Sequence, residues 1–168
     1  MPNRARALAQ MGFVVFMVDG RGTPGRGKAF QDVTYGCIGT HEIADHVATL
    51  RELARERPYV DLGRVGVGGS SWGGYFAVRA MFTAPGGYRF GSVLEGAEDL
   101  AGRLLLVHGS SDINAPFSTT MRIVDAMIHA GKPHDLIVIP NGDHYLPGPG
   151  GSYMWNESLK FLFEHLKP

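Results

Sequence analysis

The sequence predicts an α/β fold in which a parallel sheet is covered by helices on both faces. Short apolar runs alternate along the chain with longer segments whose apolar residues recur at helical spacing. The apolar runs contain almost no polar residues, which is typical of strands buried on both faces. Glycine, at 24 of 168 residues, collects at the ends of these runs, as a fold with many tight crossovers requires.

The strands are predicted from the apolar runs and the turn residues that bound them. In chain order they are Phe13–Val18, Val65–Gly68, a weaker Phe90–Leu94, Leu104–His108 and Leu136–Ile139. A glycine-rich loop, Asp19 to Gly39, follows the first of them.

The helices are predicted from apolar stripes. They are Asn3–Gln10, Thr40–Arg57, about Trp72–Phe82, a helix with Pro116 in its first turn, and a final helix capped by Ser152. In the second of them Ile43, Val47 and Leu50 share one face, Thr40 is the predicted N-cap, and Pro58 lies just beyond the end. The last two helices show the same pattern at Phe117, Met121, Val124 and Ile128 and at Trp155, Leu159, Leu162 and Leu166.

Composition limits both the architecture and the function classes. A chain of 168 residues is long enough for one domain, 1–168, with a real core. Acidic and basic residues balance at 16 each, which argues against a nucleic-acid or anionic membrane partner, and no apolar stretch reaches the roughly 20 residues that span a bilayer. The polar start of the chain lacks a secretion signal, and Cys37 is the only cysteine, so we predict a cytoplasmic protein without disulfides.

Residues 69–73 read Gly-Ser-Ser-Trp-Gly, directly after the strand predicted at Val65–Gly68. This is the G-x-S-x-G pattern of a nucleophile elbow, in which glycines let a strand and a helix approach around a strained serine. Ser71 has a glycine two residues before it and two after it. Ser70 would have the bulky Trp72 at the second glycine position, so Ser71 is the predicted nucleophile.

The order of acidic and basic residues downstream supports this interpretation. Asp112 follows the strand Leu104–His108, and His144 follows Leu136–Ile139. Parallel strands end at one edge of a sheet, so Ser71, Asp112 and His144 are expected to meet there, in the Ser, Asp, His order of elbow hydrolases. Asp143 is the rival to Asp112, but an acid adjacent to the histidine in sequence rarely reaches behind its ring.

Four segments together resemble the catalytic domain of the prolyl oligopeptidase family, in particular its dipeptidyl peptidase and acylaminoacyl peptidase branches. They are Asp19-Gly20-Arg21-Gly22, Gly69-Ser70-Ser71-Trp72-Gly73-Gly74-Tyr75, Leu106-Val107-His108-Gly109-Ser110-Ser111-Asp112-Ile113-Asn114 and Asp143-His144. The resemblance implies an α/β-hydrolase fold, with Ser71 as nucleophile, Asp112 as orienting acid and His144 as general base. Tyr75, in the same motif as Ser71, is assigned to substrate binding.

The chain also departs from the family pattern. The β-propeller and the first sheet strands of the family have no counterpart in the sequence, so we expect a hydrolase sheet truncated at its N-terminal strands. The loop that would supply a second oxyanion donor is missing with them, which leaves the backbone N–H of Trp72 as the predicted donor. The segment between Leu94 and Arg103 is several dozen residues shorter than in the family, which shortens a wall of the substrate pocket.

Three other features have competing interpretations. Residues 20–25 match G-x-G-x-x-G, but the dinucleotide fingerprint fails because no helix opens at once and no acid follows at the required distance. Arg21 is interpreted as a structural ion pair rather than an anion site, and His108 as a strand-end residue rather than a metal ligand. We therefore predict no cofactor and no metal.

The sequence thus predicts a serine hydrolase that cleaves ester or peptide acyl bonds through an acyl-enzyme, with small esters as the readier substrates. The alternative is a truncated, non-catalytic hydrolase-fold fragment that binds without turnover. An exposed sheet edge predicts association between copies of the chain.

Overall fold

A computed structural model describes residues 2–83, 97–100 and 102–166. The chain divides into two compact units, Met1–Gly66 with Leu166–Pro168, and Val67–His165. The first unit contains the helices α1 (Pro2–Gln10), α2 (Lys28–Asp32) and α3 (His41–Glu56). The second contains α4 (Trp72–Thr83), a 3₁₀ turn (Ala97–Asp99), β1 (Leu104–Gly109), α5 (Phe117–His129), β2 (His134–Ile139) and α6 (Pro149–Leu166).

The two strands of the second unit pair in parallel. Leu104 lies opposite His134, and the register continues to Gly109 opposite Ile139. A parallel pair needs a crossover connection, and α5 supplies it and packs on β1. Because the strands run in the same direction, the loops that follow Gly109 and Ile139 emerge at the same edge.

The core of the second unit lies where α4, the 3₁₀ turn, β1 and α5 meet. Its buried members are Val78, Phe82, Ala97, Leu100, Leu104 and Met127. Met127 has no exposed surface. The core therefore fixes α4, which follows Ser71, and β1, which precedes the loop of Asp112.

The predicted helices and the last two predicted strands are confirmed within a few residues. The strands predicted at Phe13–Val18 and Val65–Gly68 are wrong for this structure, since residues 13–18 and 65–68 are in neither helix nor strand. An apolar run forms a strand only when a neighbouring strand pairs with its backbone N–H and C=O groups. The composition of the run does not show whether such a neighbour is present. Several of these apolar side chains are exposed, Met17 by 71%. The strand predicted at Phe90–Leu94 lies outside the described residues.

The predicted helix starts need three corrections. Thr40 stands at the N-cap of α3, but its side chain makes no capping hydrogen bond; instead the Glu42 carboxylate accepts the N–H of Gly39 at 3.0 Å. Pro116 precedes α5 rather than lying in its first turn. Ser152 lies inside α6, which begins at Pro149, because proline is preorganised for the first helical position.

Candidate active site

Ser71 occupies a strained turn between residues 65–70 and α4. Its φ is 56°, in the left-handed region that residues with a side chain rarely adopt. The turn is closed by backbone hydrogen bonds in which the N–H groups of Gly74 and Tyr75 donate to the Ser71 carbonyl, at 2.9 and 3.1 Å. The side chain of Ser71 is thereby held at the exposed start of a helix.

The two glycines of the elbow motif differ in what the turn requires of them. A Cβ atom on Gly69 would lie 2.3 Å from the carbonyl of Gly73, so residue 69 must be glycine. A Cβ atom on Gly73 would meet no other atom within 4 Å. The sequence predicts that glycine is needed at both positions for the segments on either side of Ser71 to approach. This is confirmed for Gly69 alone.

The ring of His144 bridges Ser71 and Asp112. Its Nε2 lies 2.9 Å from Ser71 Oγ, and its Nδ1 lies 2.8 Å from Asp112 Oδ2. A carboxylate only accepts hydrogen bonds, so Nδ1 carries the proton and Nε2 is free to accept one from the serine hydroxyl. The structure thus brings together the three predicted residues, and Ser71 rather than Ser70 is the serine hydrogen-bonded to the histidine.

The side chain of Asp112 is buried, and both of its carboxylate oxygens accept hydrogen bonds. Its side chain is 6% exposed, and its Oδ1 accepts the N–H groups of Asn114 and Ala115, each at 2.9 Å. Burial alone would raise the pKa of Asp112. The hydrogen bonds from Ala115, His144 and Asn114 outweigh it and hold that pKa below its ordinary value. Asp112 is therefore a fixed negative charge behind the imidazole.

The loop that carries Asp112 and the loop that carries His144 are joined by backbone contacts. Ser111 donates its N–H to the Gly142 carbonyl at 2.9 Å, and Ser110 Oγ accepts the N–H of Asn141 at 2.8 Å. Ser110 also donates its own N–H to the Ile139 carbonyl at 3.0 Å. These bonds fix the distance between the acid and the histidine before any substrate arrives.

Asp143, the rival acid, has a different task. Its Oδ1 accepts the N–H groups of Tyr145 and Leu146, at 3.0 and 2.9 Å. Leu146 has a φ of 48°, so this carboxylate supports a strained turn directly after the histidine. Asp143 therefore shapes the loop, whereas Asp112 contacts the ring of His144.

His108 is the second-last residue of β1, and both nitrogens of its ring, behind Asp112, are hydrogen-bonded. Its Nε2 lies 2.9 Å from the Ala115 carbonyl, its Nδ1 lies 2.7 Å from Thr120 Oγ1, and Asp112 Oδ2 is 3.6 Å away. The carbonyl can only accept, so Nε2 donates and Nδ1 accepts from the threonine hydroxyl. The interpretation of His108 as a strand-end residue agrees with these contacts, which in addition hold the turn of Ala115 that donates to Asp112.

Trp72 and Tyr75 lie on the first turn of α4. Their rings stack with centroids 5.3 Å apart, and Phe76 packs edge-on against both. Trp72 remains 58% exposed. Its backbone N–H belongs to the first turn of α4, where N–H groups lack intrahelical acceptors and the helix dipole favours negative charge.

Arg21 forms the predicted structural ion pair within the first unit. Its guanidinium contacts Asp45 through Nε at 2.9 Å and Nη2 at 2.6 Å, and its backbone N–H donates to the same carboxylate at 2.8 Å. The hydrogen bonds from Arg21 lower the pKa of Asp45. The guanidinium fork is thus directed at an internal carboxylate, and α2 begins only at Lys28, three residues beyond the glycine pattern.

Within residues 2–83, 97–100 and 102–166, no group of three or more histidine, cysteine or acidic side chains is arranged to hold a metal ion. No helix in that part of the chain is long and apolar enough to cross a membrane.

Two matches to the prolyl oligopeptidase family, over residues 1–101 and 87–168, together cover the whole chain. The chain belongs to this family. Its fold is that of the α/β-hydrolases.

Individual family members are similar over nearly the full chain. Dipeptidyl peptidase 8 of Mus musculus is 32% identical over 201 residues, which covers 97% of this chain and 22% of the relative. A probable dipeptidyl-aminopeptidase B of Emericella nidulans is 26% identical over 94% of this chain and 21% of its own length. The chain therefore spans about a fifth of the length of these relatives.

A solved structure, dipeptidyl peptidase 4 of Porphyromonas gingivalis, superposes with a TM-score of 0.80 at 29% identity. It covers 89% of this chain, which corresponds to 26% of that structure. A putative dipeptidyl aminopeptidase IV from Bacteroides ovatus superposes with a TM-score of 0.79 at 24% identity and shows the same fold.

Proposed function

We propose that this prolyl oligopeptidase family member cleaves acyl bonds with Ser71 as nucleophile, His144 as general base and Asp112 as orienting acid. One observation carries the proposal: the imidazole of His144 is within hydrogen-bond distance of both partners, 2.9 Å from the serine oxygen and 2.8 Å from the aspartate oxygen. A serine hydroxyl is a weak nucleophile and needs a base at this distance.

The reaction begins when Ser71 Oγ attacks the substrate carbonyl carbon and its proton passes to His144 Nε2. The resulting imidazolium is stabilised by Asp112, whose lowered pKa keeps it ionised. When the tetrahedral intermediate collapses, the bond from carbon to the leaving group breaks and Nε2 returns the proton to the departing atom. Water, deprotonated by the same nitrogen, then attacks the acyl-enzyme. As the second intermediate collapses, the bond from carbon to Ser71 Oγ breaks, Nε2 returns the proton to Oγ, and the acid is released.

Negative charge develops on the substrate carbonyl oxygen during both attacks. The backbone N–H of Trp72 is the donor we assign to it, since it adjoins Ser71 at the start of α4 and the helix dipole favours an anion there. Oxyanion sites usually combine donors, and losing one costs about 2.7–4 kcal/mol of transition-state stabilisation. With one assigned donor, we expect slow turnover.

Small activated esters are the proposed substrates for which turnover is most readily measured. Their leaving groups need less help from proton transfer as they depart than an amine does. The nucleophile Ser71 is exposed, so a small ester reaches it without a preformed channel. The similar proteins named as dipeptidyl peptidases favour peptides as a second substrate class, which shares the same acyl-enzyme chemistry.

Hydrolysis of p-nitrophenyl acetate and p-nitrophenyl butyrate by the purified chain tests the proposal. Ser71→Ala should abolish the activity, and the matched control Ser70→Ala, at the neighbouring position of the same turn, should retain it. A fluorophosphonate probe, which loses fluoride as a serine oxygen bonds to phosphorus, should label the wild type and Ser70→Ala but not Ser71→Ala. A wild type that neither hydrolyses the esters nor reacts with the probe would overturn the proposal and favour the non-catalytic binding module.

A further inference from the structure

We propose that Tyr145 forms a subsite for the leaving group and gives the site a preference for aromatic leaving groups. The inference rests on the proposed acyl transfer by Ser71. It concerns a residue that the triad does not use.

Tyr145 is the residue after the general base, and its ring stands against the imidazole. The two ring centroids are 5.3 Å apart with an interplanar angle of 85°, an edge-to-face contact. The tyrosine is nevertheless 81% exposed. Most of its ring surface is therefore open beside His144, whose own side chain is only 15% exposed.

The backbone under this exposed ring is rigid. The N–H groups of Tyr145 and Leu146 both donate to Asp143 Oδ1, and Leu146 is held at a positive φ. Two glycines close around Leu146: a Cβ atom on Gly142 would lie 2.6 Å from its Cδ2, and one on Gly151 would lie 2.2 Å from its carbonyl oxygen. The backbone that carries the Tyr145 ring is thus held in place, which favours binding because little backbone entropy is lost.

The chemistry of acyl transfer places the leaving group beside this ring. To be protonated, the departing oxygen must approach His144 Nε2 to about 2.6–3.2 Å. The substituent on that oxygen then lies within reach of the tyrosine ring, whose centroid is 5.3 Å from that of the imidazole. A flat aryl group can pack on the tyrosine ring, and such aromatic pairs strengthen binding by about threefold to tenfold beyond the effect of the area they bury.

Two butyrate esters separate the leaving group from the acyl group. Phenyl butyrate releases phenol, and vinyl butyrate releases a small non-aromatic enol. Both form the same acyl-enzyme, so deacylation is common to them and kcat/KM reports the step in which the leaving group is bound. Acid release in a pH-stat measures both on one scale.

Tyr145→Ala should lower kcat/KM for phenyl butyrate by about threefold to tenfold, the factor that an aromatic pair of this strength represents. The kcat/KM of this variant for vinyl butyrate should change less than about twofold, because the vinyl group has no aromatic ring to pack on the tyrosine. Tyr145→Phe should keep the preference for the phenyl ester. The matched control Tyr153→Ala removes a half-exposed tyrosine from α6 and should change neither ester.

An equal loss on both esters in Tyr145→Ala would overturn the inference, because the ring would then act only by positioning His144. An unchanged kcat/KM for phenyl butyrate in Tyr145→Ala would overturn it as well. Fluorophosphonate labelling of Tyr145→Ala at the wild-type rate, with an unchanged melting temperature, shows that the variant retains its fold and triad. Absence of Ser71-dependent hydrolysis in the wild type would overturn the proposed function together with this inference, whereas a uniform loss overturns the inference alone.

Discussion

Gly109 and Gly142 meet backbone to backbone: a Cβ atom on Gly109 would lie 2.3 Å from the carbonyl oxygen of Gly142. Gly109 ends β1 ahead of Asp112, and Gly142 lies two residues before His144. The 2.8 Å hydrogen bond between the acid and the histidine thus depends on a contact in which neither residue has a side chain.

We expect Gly109→Ala to separate these two loops, because the obstructing atom is a backbone oxygen that cannot rotate away. Overpacking of this kind costs about 1–3 kcal/mol in unfolding free energy. The specific activity should fall further than stability alone explains, since the distance from Asp112 to His144 must lengthen. Urea unfolding and ester hydrolysis measure the two effects. Gly68→Ala, where a Cβ atom meets nothing within 4 Å, is the control. Wild-type stability and activity in Gly109→Ala would contradict the expectation.

The two elbow glycines should respond in opposite ways to alanine. Gly69→Ala places a methyl group 2.3 Å from the Gly73 backbone and should displace Ser71, with loss of fluorophosphonate labelling. Gly73→Ala meets open space within α4, where alanine is a better helix former than glycine by about 1 kcal/mol. It should keep its labelling and melt at the same or a higher temperature. Equal inactivation by both substitutions would contradict this expectation, because activity would then require glycine at both positions whether or not a Cβ atom is obstructed there.

His108 is expected to stabilise the turn that holds Asp112. In His108→Phe, the hydroxyl of Thr120 and the carbonyl of Ala115 both lose their partner, and an unpaired buried polar group costs about 1–3 kcal/mol. Urea unfolding should show this loss, and kcat should fall while KM stays constant. His129→Phe replaces a 77% exposed histidine on α5 and should change stability by less than about 0.5 kcal/mol. Equal effects of the two substitutions would contradict this role.

The ends of the strands could be interpreted from the sequence because the fold and the proposed chemistry both depend on the residues at those positions. A parallel sheet brings the ends of β1 and β2 to one edge, so the residues after them, Asp112 and His144, could be placed together without knowing any contact. Ser71 could be chosen over Ser70 because a tight turn constrains the positions two residues away on both sides.

Other features could not be predicted because they depend on pairs rather than on single segments. The apolar run Phe13–Val18 has the composition of a strand, but strand formation is settled by a hydrogen-bonding neighbour. The requirement for glycine at 109 arises from residue 142, more than thirty positions away. The exposure of the Tyr145 ring could not be predicted, since the sequence of a loop does not indicate whether a tyrosine ring in it is buried or exposed.

The stability of the chain should fall in acid partly through Asp112. Its folded pKa lies below the ordinary value of 3.8, so the unfolded chain binds more protons in the range between those two values. The stabilisation is fully present above the unfolded pKa and is lost as the pH falls through the folded pKa. Melting temperatures between about pH 2 and pH 5 should therefore rise with pH.

Asp112→Asn should flatten this acid dependence and lower kcat by about a thousandfold or more, because an amide no longer fixes the imidazole tautomer. Asp45→Asn, which removes the carboxylate paired with Arg21, is the matched control. Its lost carboxylate also has a lowered pKa, so it should flatten the acid dependence while kcat is retained. A retained kcat in Asp112→Asn would remove Asp112 from the proposed triad, whereas an unchanged acid slope would show that the hydrogen bonds to Ala115 and Asn114 do not favour the ionised form.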